Sequence, residues 1–252
     1  MKILLHLSFL GTNYCGYQIQ PNGVTIQQKL NEATRALFGV DCDIVGCSRT
    51  DSGVHAKHFC VTVAEKGKNT LQTTIPMERI PLAIAQFLPS DIAVFRAEAV
   101  EESFHPRYDV HHKEYVYRIW NCPERNPFEC DRSWHYPKPI SEDALERMKQ
   151  AALAFVGTND FASYMAADSK IRDSVRTIYE AEVTRQGDMI EFRVSANGFL
   201  YHMVRILTGT LIAVAEGKLR PDEIKDVTEA RDRSRAGITV PPEGLFLNRV
   251  VY

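Results

Sequence analysis

The chain has 252 residues, of which 44% are hydrophobic, 25% charged and 10% aromatic. That is an ordinary globular composition, and it excludes long disordered tails; a chain of this length buries roughly three-quarters of the surface its unfolded form exposes. Thirty Lys and Arg against 32 Asp and Glu leave a net charge of −2, so no bulk attraction to nucleic acid or anionic lipid exists and any such role must rest on local basic clusters.

Residues 2–10 are apolar and β-favouring and end at Gly11-Thr12-Asn13, which predicts a first strand and a turn, not a signal peptide. Thr25 is a good N-cap, and Ile26, Leu30, Ala33, Leu37 and Phe38 recur at helical spacing until Gly39 ends the helix. Two strands follow, Asp41–Cys47 and His58–Ala64. Pro76 is predicted to open a second helix carrying Ile80, Ile84, Phe87 and Leu88, and Ile92–Val100 alternates as a strand. The order is β-α-β-β-α-β, the split βαβ or ferredoxin-like unit.

The second half varies this theme. Lys113–Trp120 alternates as a strand, Ser141 caps a helix with Leu145, Met148, Ala152 and Phe155 inward, and 176–185 with 189–196 form a hairpin. A long helix over Gly198–Glu216, a short one after Pro221 and a strand over Leu245–Tyr252 complete the chain. The fold expected is α+β: two ferredoxin-like halves, 1–102 and 103–252, whose antiparallel sheets abut, with helices on one face and an active-site cleft between the halves. The greasiest stretch, Phe199–Val214, is interrupted by His202, Arg205, Thr208 and Gly209, so no membrane span is expected. Six Cys form no CxxC pair and no zinc-like spacing with the eight His, which predicts free thiols, no metal and a cytoplasmic protein.

The densest reactive cluster is Gly46-Cys47-Ser48-Arg49-Thr50-Asp51-Ser52-Gly53-Val54-His55-Ala56, between two strands. Arg49 and Asp51 are two residues apart, so in extended chain they share a side and the cation keeps the carboxylate ionised. Spacing alone favours a plainer reading, in which Asp51-Ser52-Gly53 is a tight turn, Asp51 satisfying backbone N–H groups and Gly53 supplying a positive φ.

Arg49-Thr50-Asp51-Ser52-Gly53-Val54-His55-Ala56 resembles the R-T-D-x-G-V-H-A signature of the tRNA pseudouridine synthase A family. Other segments are similar to that family in the same order: Tyr14-Cys15-Gly16-Tyr17-Gln18, Leu88–Val94, Phe104–Tyr108, Lys113–Tyr117, Ala196–Arg205 and Glu243–Leu247. Together they span nearly the whole chain. One departure is Ser48, where the family has Gly, and it bears on the loop's geometry.

The resemblance implies isomerisation of uridine to pseudouridine in the anticodon stem-loop of tRNA, at positions 38, 39 and 40, with no cofactor and no metal. It makes Asp51 the nucleophile, Tyr115 the ring that stacks on the uracil, Arg49 a phosphate contact that helps evert the nucleotide, and Arg205 the partner of Asp51. Tyr117 shares a strand face with Tyr115 and is its rival. Phe104, His105, Pro106, Arg107 and Tyr108, with Asp168, Ser169, Lys170, Ile171 and Arg172, match segments that contact RNA. A homodimer with tRNA across both subunits is expected by the same resemblance. His55, His58 and His202 read as hydrogen-bonding residues. Two other classes stay in view: a non-catalytic RNA-binding protein on a ferredoxin-like platform, and a hydrolase using Cys47 or Cys60 with His55.

Overall fold

A computed structural model of the chain describes residues 1–167 and 172–252. The elements in chain order are β1 (Lys2–Phe9), α1 (Ile26–Phe38), β2 (Cys42–Gly46), β3 (His55–Glu65), α2 (Ile80–Ala85), β4 (Ile92–Val100), β5 (His112–Trp120), β6 (Trp134–His135), α3 (Glu142–Leu153), β7 (Gly157–Asp160), β8 (Val175–Gln186), β9 (Met189–Ala196), α4 (Met203–Ala215), α5 (Ile224–Ala230) and β10 (Leu245–Val251). They form two compact units, Met1–His111 with Phe246–Tyr252, and His112–Leu245. The mixed α+β class read from the sequence is the class of the protein.

In the first unit β1 lies between β4 and β3, antiparallel to both, and β2 pairs antiparallel with the second half of β3. The order β4-β1-β3-β2 is that of a split βαβ unit. α1 follows the sequence to the residue: the Thr25 hydroxyl accepts from the Gln28 N–H, and Gly39 closes the helix in the left-handed conformation at φ 72°. Ile26, Leu30 and Ala33 turn inward, and α1 and α2 touch each other over the sheet.

α2 is shorter than the periodicity predicts. Pro76 leads into a single 3₁₀ turn, Met77–Arg79, the helix proper stops at Ala85, and Phe87 is exposed. Two prolines, Pro81 and Pro89, leave little room for a regular helix between them.

Residue 102, where the sequence suggests a boundary, lies inside the first unit. The stretch after β4 is tied down there: Lys2 Nζ donates to the Phe104 carbonyl at 3.2 Å, the Tyr252 hydroxyl to the Pro106 carbonyl at 2.8 Å, and the His111 N–H to the Val251 carbonyl at 2.8 Å. β10 itself adds to the first half of β3 in parallel, Phe246 opposite His55.

In the second unit the strands run β5-β9-β8-β7, all antiparallel, and the two-residue β6 lies parallel to β5. The β8–β9 hairpin closes through Gly187 and Asp188, with Gly187 at φ 57°, the positive value that such a tight loop demands. Ser141 caps α3 by accepting from the Ala144 N–H, and Glu142 and Asp143 sit in its positive first turn.

α4 starts five residues later than its apolar run suggests. His202 adopts a left-handed conformation at φ 61°, which interrupts the helical path; 198–200 are irregular and Tyr201 and His202 form the turn that leads into the helix. Among the described residues no helix is long and apolar enough to cross a membrane.

Candidate active site

The Arg49–Val54 loop is clamped by residues far away in sequence. The Tyr17 N–H donates to the Thr50 carbonyl at 3.1 Å and the Ser52 hydroxyl to the Tyr14 carbonyl at 3.1 Å, while inside the loop the Val54 N–H donates to the Asp51 carbonyl at 3.2 Å. Close to these bonds the 11–17 segment presses its backbone on the loop. A Cβ on Gly11 would lie 2.0 Å from the Val54 oxygen, and one on Gly16 2.6 Å from the Thr50 oxygen. Gly16 also holds φ at 81°, a conformation that side chains resist.

That clamp is itself anchored. The Tyr14 hydroxyl donates to the Asp91 carboxylate at 2.5 Å, while the Asp91 carbonyl accepts from the Leu10 N–H at 2.9 Å. Burial and the nearby carboxylate push the Tyr14 phenol well above its ordinary pKa, which keeps it a donor at any working pH. Tyr14→Phe is expected to cost about 1.5–3 kcal/mol, the range for a bond to a charged group. Urea denaturation would show this as a lower midpoint at unchanged slope; an unchanged midpoint would mean that Asp91 does not support the loop.

Within the loop Arg49 is exposed, Asp51 half-buried and Thr50 nearly buried. The Thr50 hydroxyl has no hydrogen-bond partner among the described residues, an arrangement that does not serve stability. Gly53 takes φ 80°, so the turn reading of Asp51-Ser52-Gly53 and the reactive reading describe the same segment. Ser48 is not among the residues with positive φ, so its backbone does not take the conformation that would call for glycine.

His55 is fully buried at the start of β3. Its Nδ1 accepts from the Gly11 N–H at 3.0 Å and its ring stacks on Phe246 with centroids 4.6 Å apart. It is part of the clamp, as the sequence suggests for a hydrogen-bonding histidine. The hydrolase reading fails on the thiols: Cys47 is fully buried, out of reach of a substrate, and burial drives the Cys60 thiol far above the usual range, away from a thiolate.

In the second unit Tyr115 and Tyr117 share one face of β5, and their surroundings separate them. Tyr117 is fully buried, its hydroxyl donates to the Pro241 carbonyl at 2.6 Å, and burial raises its pKa well above the ordinary value despite the Arg205 charge. A Cβ at Gly244 would meet its ring at 2.8 Å. Tyr117 is therefore a packed structural tyrosine. Tyr115 is met edge-on by Phe199, with centroids 4.9 Å apart, and Phe199 belongs to the irregular segment between β9 and α4. Arg205, on that helix, donates from Nε to the Val240 carbonyl at 2.8 Å, so its guanidinium is oriented by backbone.

The expected RNA segments divide by exposure. Phe104 packs its ring on Tyr252, Pro106 is buried, and the His105 and Tyr108 rings lie 4.2 Å apart, while Arg107 is exposed and Tyr108 is 75% exposed. Arg172 is exposed; Asp168, Ser169, Lys170 and Ile171 lie outside the described residues.

One constellation escapes the sequence altogether. His6 and His58, with Cys60, bring ring nitrogens and sulfur within 4.8 Å of one another. Only strand register could reveal it, since His6 sits opposite Cys60 across the β1–β3 ladder.

Comparison with known proteins gives the arrangement a context. A family model described as tRNA pseudouridine synthase matches residues 7–109 and 151–252. Those stretches contain the clamped loop and Arg205, and Tyr115 falls between them. The tRNA pseudouridine synthase A of Thermoanaerobacter sp. (strain X514) is 40% identical over 251 residues, covering 100% of this chain and 99% of that protein. That of Bacillus pumilus (strain SAFR-032) is 42% identical over 258 residues, with the same coverage of 100% and 99%. Among solved structures, a chain from a Cbf5-Nop10-Gar1 complex is similar at a TM-score of 0.38 and 14% identity, over 83% of this chain and 44% of that one, a likeness too slight to bear on the chemistry.

Proposed function

The chain belongs to the tRNA pseudouridine synthase family, and from that premise we propose that it isomerises uridine to pseudouridine in the anticodon stem-loop of tRNA, at positions 38, 39 and 40, with Asp51 as the nucleophile. The N1–C1′ bond breaks, the uracil turns over, C5 bonds to C1′, and the proton displaced from C5 is returned at nitrogen. Nothing is lost and no electrons are transferred overall. An ionised carboxylate suits this, because it can attack an electron-poor centre or stabilise positive charge on the sugar.

The observation that supports this reading best is the clamp on the loop. Residues 11, 14, 16 and 17 fix the backbone on both sides of Asp51, which is the preorganisation a reacting group needs. Arg49, beside it and exposed, is proposed to meet phosphate as the target nucleotide leaves its stack. Tyr115 and Arg205 complete the proposed substrate-binding set, Tyr115 offering a ring for stacking.

Arg107, Tyr108 and Arg172 supply exposed cations and an aromatic ring of the kind that tracks a nucleic-acid backbone, and Phe104, His105 and Pro106 anchor that segment. Asp168, Ser169, Lys170 and Ile171 join the proposed RNA contacts on sequence resemblance alone. A cytoplasmic homodimer is part of the same proposal.

The test is incubation of the pure protein with an unmodified tRNA transcript, followed by pseudouridine mapping at single-base resolution. Conversion confined to positions 38–40 is the expected result. Conversion elsewhere would overturn the positions, and stable tRNA binding without any conversion would leave only an RNA-binding protein.

A further inference from the structure

We infer that His6, His58 and Cys60 form a binding site for a thiophilic divalent cation of the zinc type, built into the sheet of the first unit. His6 Nδ1 lies 2.8 Å from His58 Nε2, and Cys60 Sγ lies 3.5 Å and 3.3 Å from those two nitrogens. Around a tetrahedral zinc with ordinary bond lengths, two nitrogens stand roughly 3.3 Å apart and nitrogen and sulfur roughly 3.6 Å apart. The sulfur is therefore already placed to within a few tenths of an ångström, and only the two rings need to part slightly.

Three features separate this cluster from an incidental hydrogen-bonded network. The donors come from rigid elements: His6 and Cys60 are a cross-strand pair, and His58 and Cys60 share one face of β3. His6 and Cys60 are 6% and 0% exposed, whereas His58 is only half-buried, which leaves an entry path and a fourth position for solvent.

The third feature is an outer shell of the kind that metal ligands have. His6 Nε2 meets the Glu98 carboxylate at 2.8 Å, and Glu98 is held by Arg96 at 2.5 Å. That contact draws the ring proton to Nε2 and turns the bare lone pair of Nδ1 toward the cluster. Arg96 and Arg249 contribute opposing positive charge near His58, which the Glu98 carboxylate and a bound thiolate offset. Binding releases one proton from the Cys60 thiol to the buffer, so the metal replaces that proton and bridges β1 to β3.

The decisive experiment uses the full chain, stripped with a chelator under reducing, oxygen-free conditions and titrated with Co²⁺ and then Zn²⁺. One Co²⁺ per chain should bind with a thiolate-to-cobalt charge-transfer band, and Zn²⁺ should displace it. Cys60→Ser should abolish the band and Cys130→Ser, at an exposed thiol, should retain it. Glu98→Gln should weaken Zn²⁺ binding by about 10–100-fold, and it decides the matter if Cys60→Ser does not fold. No charge-transfer band in the wild type, a band that survives Cys60→Ser, or unchanged affinity in Glu98→Gln would each overturn the site. None of these readouts depends on catalysis.

Discussion

Asp51→Asn is expected to slow pseudouridine formation by about 10⁴- to 10⁶-fold, the range in which removal of a central catalytic group falls, with tRNA binding close to wild type. The amide copies the carboxylate's shape and removes its charge, so it can neither attack the substrate nor stabilise a cation. The fold should tolerate the change. The bonds that fix the loop, from Tyr17 N–H to Thr50, from the Ser52 hydroxyl to Tyr14 and from Gly11 N–H to His55, use no side-chain atom of Asp51. Single-turnover conversion and filter binding on one tRNA preparation separate the two effects. Turnover within tenfold of wild type would remove Asp51 from the chemistry, and lost binding with lost turnover would make it a binding residue.

Gly16→Ala should be the more damaging change to structure, although it adds a single methyl group. The residue holds φ 81°, and the new Cβ would lie 2.6 Å from the Thr50 oxygen and 3.3 Å from the Asp51 carbonyl carbon. Left-handed strain costs about 1–2 kcal/mol and overpacking about 1–3, which together predict a loss of about 2–5 kcal/mol. Both neighbouring atoms are backbone of the reactive loop, so the loop rather than a flexible side chain must yield. A shift of about 1 Å there should cost about 10²-fold in kcat. Thermal unfolding together with kcat at a temperature where the variant is folded would check this; a stable variant with wild-type turnover would show that the 14–18 segment does not position Asp51.

Elements whose signals act over a few residues are legible in the sequence. Thr25 and Gly39 bound α1 because each acts on backbone groups a few residues away, and the β8–β9 hairpin turns at Gly187 for the same reason. The start of α4 is not legible, because the apolar run from Phe199 continues through His202, and a single histidine inside such a run does not by itself mark a left-handed residue. α2 is shorter than its periodicity because the apolar spacing outlasts the room between Pro81 and Pro89. β6 and β7, of two and four residues, are too short for any alternation to register.

The reactive loop stood out as letters, yet what holds it did not. Asp91 reaches Tyr14 from 77 residues away and Ser52 reaches it from 38, and no periodicity connects them. The His6, His58 and Cys60 cluster was hidden in the same way: a register assignment, not a spacing, brings residues 52 apart to 2.8 Å.

The return of β10 to the first unit has a cost in time. The ladder position beside His55 is filled by Phe246, which the ribosome adds only after residues 112–245. At about 5–20 residues per second this delay is on the order of ten seconds. During that interval the nascent first unit presents an unpaired edge on β3, at the end of the strand that follows the reactive loop. Such an edge invites pairing with neighbouring chains, so the newly made half should be a client for chaperones until translation is nearly finished.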